Sequence, residues 1–255
     1  MKGRALLFGL NYTATPDASL QGCVQDVVNL SEYLQSTLAV PIKVCHDGPG
    51  GTLADTTRMG IVQNIYDLAL QSYQESLDFV WIHYSGHGSY VRDSSSDERD
   101  GRDECLVPSD FKTAGLIADD FLNRVFRNFN PSTRVVFVCD ACHSGTMCDV
   151  KYRWESPTRC TVENIACTVP AKVLTLSGCL DSQTSADAFN VLGDGKYAGA
   201  LTSCLLIVLK ETPGVRADAF KLLTAVRAKL RERGFPQIPA LCSTYNMTRD
   251  FAFMP

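Results

Sequence analysis

The chain has 255 residues, 45% of them hydrophobic, enough to bury a core of its own as one domain. Its 24 Lys and Arg against 28 Asp and Glu leave a net charge of −4 with no basic run or stripe, so no nucleic-acid partner is expected. No apolar stretch reaches the roughly 18 residues of a membrane span, and the run at 5–10 is too short for a signal peptide, so the chain reads as soluble and cytoplasmic, without membrane contact.

Residues 5–10 predict a buried first strand and residues 20–38 a helix, with Val24, Val27, Val28, Tyr33 and Leu34 facing the sheet. A second strand is expected at 41–45, a Gly-rich loop at 47–51 and a helix at 57–75. Residues 78–83 read as a third strand, followed by an acidic loop at 93–103 and a short helix at 119–129. Residues 133–139 read as a fourth strand. Residues 146–170 lack periodicity and read as an exposed linker. A strand at 172–176 follows, then a loop through Asp187, helices at 198–211 and 217–233, and a late strand at 237–243. Strands alternating with helices predict an α/β fold, a mostly parallel central sheet flanked by helices on both faces. Residues 1–145 form the large region of that single domain and residues 171–255 the small region that completes it.

The eleven cysteines are odd in number and irregularly spaced, and no secretory signal precedes them. That argues against a disulfide framework, and no matched Cys-x-x-Cys pairs suggest zinc. Most of these thiols are expected to be small buried hydrophobes.

Two strands end in Gly-containing loops that carry reactive side chains: His83-Tyr-Ser-Gly-His-Gly88 and Asp140-Ala-Cys-His-Ser-Gly145. In open parallel sheets, sites form at the carboxyl ends of strands. A thiolate at Cys142 can attack a carbonyl, with the His87 imidazole taking its proton and later protonating the leaving amine. Their separation of 55 residues matches the spacing of about 50 in caspase-like enzymes. His143, beside the nucleophile, is the second candidate base. The backbone amides of Gly88 and Cys142 are the expected oxyanion donors.

These blocks resemble the catalytic blocks of metacaspases, the caspase-like peptidases of plants, fungi, protists and bacteria. The resemblance runs nearly the full length. It includes Leu6-Leu-Phe-Gly-Leu-Asn-Tyr12, Leu20-Gln-Gly-Cys-Val-Gln-Asp26, Asp100-Gly-Arg-Asp-Glu104 with Pro108, and Ser177-Gly-Cys179 with Gln183-Thr-Ser-Ala-Asp187. It implies a caspase-like fold and His87 and Cys142 as a catalytic dyad. It also implies a minimal form, without prodomain and with a short linker.

Asp26, Asp140 and Asp187 all fall where strand ends converge, and carboxylates there suit a basic side chain. The resemblance makes these positions the lining of a pocket for Arg or Lys before the cut, with Cys23 and Ser85 as further lining; Asp181 competes with Asp187 for its place. The expected partners are therefore proteins or peptides with Arg or Lys at that position. Asp93, Asp97, Glu98, Asp100, Asp103 and Glu104 form an all-oxygen cluster that suits Ca²⁺ over Zn²⁺, although a solvated loop has the same composition. By resemblance, Asp103, Asp119, Asp120 and Asp149 are the calcium ligands of a calcium-activated enzyme. Lys151, Arg153 and Arg159 in the expected linker are candidate self-cleavage points, which makes the chain a zymogen. By resemblance the chain is a monomer. The rival readings are a non-catalytic scaffold of the same fold, and a caspase-like peptidase of different primary specificity.

Overall fold

Gly3–Gly9 form β1, a strand whose Ala5 and Leu7 pack on one side while Leu6 and Phe8 pack on the other. A strand buried on both faces belongs in the middle of a parallel sheet covered by helices. The computed structural model describes residues 1–92, 102–142, 148–178, 187–189, 197–249 and 252–255. After β1 the chain forms α1 (Cys23–Leu38), β2 (Ile42–His46), a short α2 (Leu53–Thr56), α3 (Arg58–Gln74) and β3 (Phe79–Ser85). Next come β4 (Gly88–Arg92), β5 (Arg102–Leu106), α4 (Phe111–Ala114), β6 (Ile117–Ala118), α5 (Asp119–Phe126) and β7 (Arg134–Asp140). The remainder is β8 (Tyr152–Ser156), β9 (Arg159–Val162), β10 (Lys172–Ser177), β11 (Asp187–Phe189), β12 (Tyr197–Gly199), α6 (Ala200–Glu211), α7 (Ala219–Glu232) and β13 (Ala240–Ser243).

The main sheet has the order β2-β1-β3-β7-β10-β13-β8-β9. Its first five strands are parallel, and β13, β8 and β9 continue it antiparallel. Val27, Leu30 and Leu34 of α1 pack on one face with the apolar sides of α6 and α7. Ile61, Ile65 and Leu68 of α3, with Leu122 and Phe126 of α5, cover the other. This is the architecture expected from the alternation of strands and helices. Among the described residues, no helix is long and apolar enough to cross a membrane.

Register then places the functional residues. Gly9 of β1 lies beside Ser85 of β3, and Ser85 beside Asp140 of β7, so three strand ends form one row. The third strand runs to Ser85, past the His83 expected from the sequence, because His83, Tyr84 and Ser85 are still paired on both sides. Asp103 and Glu104 lie on β5 and not in a loop. The acidic residues at 93, 97, 98 and 100 fall outside the described residues.

The segment at 146–170 is mostly half-buried or exposed, and its described part also contains a hairpin, β8–β9, which extends the sheet past β13. Periodicity is weak there because only one face of β8 is buried, and Trp154 does most of that burying at 2% exposure. Its indole N–H donates to Ser243 Oγ at 2.8 Å, and its ring meets Phe220 edge-on, with centroids 5.8 Å apart. If the hairpin is part of the cooperative unit, Trp154→Ala will lower unfolding free energy by about 3–5 kcal/mol in urea titrations. A loss under about 1 kcal/mol would mean that the hairpin melts independently.

Candidate active site

Along β3 and β7, successive side chains point to opposite faces, so Ser85 and Asp140 share the α1/α6 side of the sheet with Trp81 and Val138. Asp26, in the first turn of α1, arrives from above, and Asp26 and Asp140 are only 1% and 3% exposed. Such carboxylates need donors, and most of the donors the structure shows come from the start of α6. The backbone N–H of Gly199, the residue that caps this helix, lies 2.9 and 3.0 Å from the two Asp26 oxygens. The N–H of Thr202 donates to Asp140 Oδ2 at 2.9 Å, and the Thr202 hydroxyl donates to the same oxygen at 2.9 Å. Ser85 Oγ donates to Asp26 Oδ2 at 2.5 Å. Both carboxylates thus sit on the positive end of a 12-residue helix, which favours their charged form. A side chain on Gly199 would overlap both, so only glycine fits between them.

His87 is held differently. Its ring Nε2 lies 2.8 Å from the Ala18 carbonyl. A carbonyl only accepts, so Nε2 carries the proton and Nδ1 is the basic nitrogen. The His87 backbone N–H donates to the Tyr12 hydroxyl at 2.8 Å, and its carbonyl accepts from the Tyr84 hydroxyl at 2.9 Å. Tyr12 donates in turn to the Val107 carbonyl at 2.7 Å, and its ring lies 4.7 Å from the His87 ring. Burial drives both phenol pKa values upward, so they stay protonated as donors.

Cys142 follows the end of β7 by two residues and is half-buried, outside any disulfide. The Cα of Gly88 packs against its carbonyl so closely that a methyl there would overlap the oxygen. The His87–Gly88 turn and the Cys142 loop are therefore in direct contact, as a dyad requires. His143 lies outside the described residues. The other described cysteines are outside any disulfide too, and buried ones such as Cys45 and Cys204 are pushed up to about 12 by desolvation, which leaves them inert.

The remaining expected residues fall as follows. Cys23 is buried one helical turn before Asp26 on α1. Asp187 pairs through its main chain with Gly199, so β11 runs beside the two carboxylates; its side chain, like Asp181, lies outside the described residues. Asp103, Asp119 and Asp149 are buried at 5%, 1% and 5% exposure, and Asp120 is half-buried. Asp119 and Asp120 open α5 directly after β6, which pairs with β5. Asn123 Nδ2 ties the 148–149 turn to α5, donating to both carbonyls at 3.0 Å. Burial, then the charges of Asp119 and Asp103, push the Cys105 thiol up to about 12. Burial, Cys139, Asp119 and Asp149 raise that of Cys148, so the three carboxylates share one neighbourhood. All-oxygen, buried, anionic donors fit a hard cation by chemistry. They are not drawn into a cage: among the described residues, no three His, Cys, Asp or Glu side chains are grouped as a metal site.

Comparisons with known proteins bear on the family and the fold. A family profile described as the metacaspase peptidase C14 domain matches residues 3–151. Metacaspase-3 of Trypanosoma cruzi is 34% identical, over 98% of this chain and 74% of its own. Metacaspase-2 of Trypanosoma brucei brucei is 31% identical over 98% and 75%, and metacaspase-1B of Aspergillus terreus 29% over 98% and 77%. A structural-genomics protein of Geobacter sulfurreducens superposes with a TM-score of 0.68 at 24% identity, covering 100% of this chain and 99% of its own. Caspase-1 of Spodoptera frugiperda superposes with a TM-score of 0.62 at 17% identity, covering 99% and 89%. At such identities these two structures establish a caspase-like fold and nothing finer.

The contact between Gly88 and Cys142 yields a test. Gly88→Ala will force the two loops apart and lower kcat/KM on a peptide substrate by about 100-fold or more. The melting temperature will move by only a few degrees, as expected for a surface turn. Unchanged kcat/KM would mean that these loops do not jointly build the site.

Proposed function

This chain belongs to the metacaspase family and is a cysteine peptidase of the caspase-like kind, and from that premise we propose that it is a calcium-activated, self-processing endopeptidase that cuts after Arg or Lys. The observation that carries the specificity is the buried pair Asp26 and Asp140. Two carboxylates kept anionic by a helix N-terminus at the strand ends offer a basic side chain the charge it lacks, and repel an acidic one. Ser85 and Cys23 complete the lining, with the main chain of Asp187 paired alongside at Gly199.

In the reaction, the Cys142 proton passes to His87 Nδ1 and the sulfur attacks the scissile carbonyl carbon. The amides of Gly88 and Cys142 serve as donors to the oxyanion. Collapse of that intermediate expels the amine, which takes the proton from Nδ1 and leaves a thioester on Cys142. Water then attacks, with Nδ1 as base, and releases the acid and the thiol. The Ala18 carbonyl keeps the proton on Nε2, so Nδ1 is available at each step.

Calcium would be held by Asp103, Asp119, Asp120 and Asp149, where its charge would offset theirs. The chain's own part is the 148–149 turn. Cys148 and Asp149 both adopt positive φ, 84° and 45°, a conformation that non-glycine residues adopt at a cost. This turn sits six residues past the nucleophile, so its setting bears directly on the Cys142 loop. Self-processing fits Lys151 and Arg159 better than Arg153. The main chain of Arg153 is paired on both sides in β8, whereas Arg159 is exposed on the edge strand. The β8–β9 hairpin covers the outer edge of β13, which favours a monomer. The free thiols suit a reducing, cytoplasmic setting.

Peptides ending in Arg or Lys before the reporter should turn over at least about 100-fold faster than Asp-ending ones, and Cys142→Ala should abolish turnover. Asp140→Asn should cost about 30-fold or more on the basic substrates, as for a buried charge partner removed. Preference for Asp, or a silent wild type, overturns the reading, the second outcome favouring a scaffold. In excess chelator activity should fall by about tenfold or more and return with Ca²⁺, and Asp119→Asn with Asp120→Asn should no longer respond. Equal activity with and without chelator sinks the calcium part alone.

A further inference from the structure

His83 is a fully buried histidine at 0% exposure, in a stretch of β3 where Trp81 and its neighbours are otherwise apolar. Burial lowers its pKa to about 3, so the ring is neutral. Among the described residues its Nδ1 makes no hydrogen bond, and its Nε2 lies 3.3 Å from Thr202 Oγ1. The Thr202 hydroxyl is also fully buried, and its proton goes to Asp140 Oδ2 at 2.9 Å, because a carboxylate only accepts. The hydroxyl must therefore accept from His83, which fixes the imidazole proton on Nε2. The order of donation is His83 Nε2–H to Thr202 Oγ1–H to Asp140 Oδ2.

An imidazole with one unsatisfied nitrogen is a costly way to fill a strand position that a leucine would fill without an orphaned atom. The bland reading is a core histidine satisfied by the nearest hydroxyl. That reading gives no reason for the chain of bonds to end on a specificity carboxylate. Three donations of fixed direction leave the Thr202 hydroxyl no freedom to rotate, and two donors from one residue converge on one oxygen of Asp140. The carboxylate is thereby locked in rotation about its Cβ–Cγ bond.

We propose that Thr202, oriented by His83, is a positioning residue for the primary specificity pocket: it locks the Asp140 carboxylate in the orientation that receives the basic side chain of the substrate. This inference rests on Asp140 lining that pocket, as proposed above. Neither residue touches the scissile bond. Their loss therefore weakens binding of the basic side chain and leaves the thiol chemistry alone.

The test is steady-state kinetics on an Arg-ending fluorogenic peptide. Thr202→Val removes the hydroxyl and keeps both shape and backbone N–H; it should raise KM about tenfold with kcat within about twofold of wild type. Thr202→Ser restores the hydroxyl and should restore KM. His83→Leu should raise KM about three- to fivefold, and His83→Gln, whose amide can reach the Nε2 position, should bring it back. Carboxymethylation of Cys142, followed by peptide mass, should proceed at the wild-type rate in all four, and each should keep a cooperative melt. If Thr202→Val fails to fold, the His83→Leu and His83→Gln pair decides alone. An unchanged KM in Thr202→Val or His83→Leu, or a fall in kcat that the Ser and Gln variants do not rescue, overturns the inference while leaving the pocket reading intact. A wild type that cuts after neither Arg nor Lys removes the pocket reading, and this inference with it.

Discussion

The structure around the site depends on one interaction, the docking of two buried carboxylates onto the N-terminus of α6. Asp26 comes from α1, Asp140 from β7, and the N–H groups that meet them from Gly199 and Thr202. These elements are far apart in sequence, with 173 residues between Asp26 and Gly199. The first N–H groups of a helix have no partner within it; here they find theirs in carboxylates. Each side removes a defect of the other, since a buried anion without donors and a buried helix end without acceptors are both costly. Charge-assisted bonds of this kind contribute about 1.5–3 kcal/mol each, enough to fix where α6 starts.

The alternation of side chains along the central strands then sorts chemistry by face. Ser85, His83 and Asp140 fall on the α1/α6 side, with the helix-held carboxylates. Tyr84 falls on the other side, where with Tyr12 it grips the backbone of His87. His87 and Cys142 lie past the strand tips, where neither face claims them. A one-residue slip of β3 against β7 would exchange these roles, and register in a sheet buried on both sides forbids it.

Much of this was legible in the sequence. The five parallel strands announce themselves as short apolar runs, and His87 and Cys142 by the glycines beside them. Asp26, Ser85 and Asp140 came from a resemblance and from their nearness to strand ends, and the structure brings the three together. Gly199, Thr202 and Ala18 were not legible. Ala18 acts through its carbonyl, which every residue has, so no side chain marks it. Thr202 is one buried threonine within an apolar helix, and its partner lies 62 residues away. The signal available was a glycine directly before the helix with a hydroxyl three residues on. The β8–β9 hairpin escaped because its burial rests largely on Trp154, and a single anchor has no period. The acidic cluster was legible as charge but not as shape: Asp103, Asp119 and Asp149 come from a strand, a helix start and a turn, and composition says nothing of how such elements meet.

A basic-residue pocket of the kind proposed faces a problem when it is empty. Two carboxylates sharing one site repel each other, and burial raises their pKa values further, so an unsupported pair would take up a proton and lose its selectivity. The start of α6 meets this with fixed dipoles. The N–H groups of Gly199 and Thr202 stabilise the anions without adding side-chain volume beside them, because Gly199 has no side chain to intrude. A dipole is a weaker partner than a full charge, so carboxylates held this way would, in the proposed reading, still accept a basic side chain.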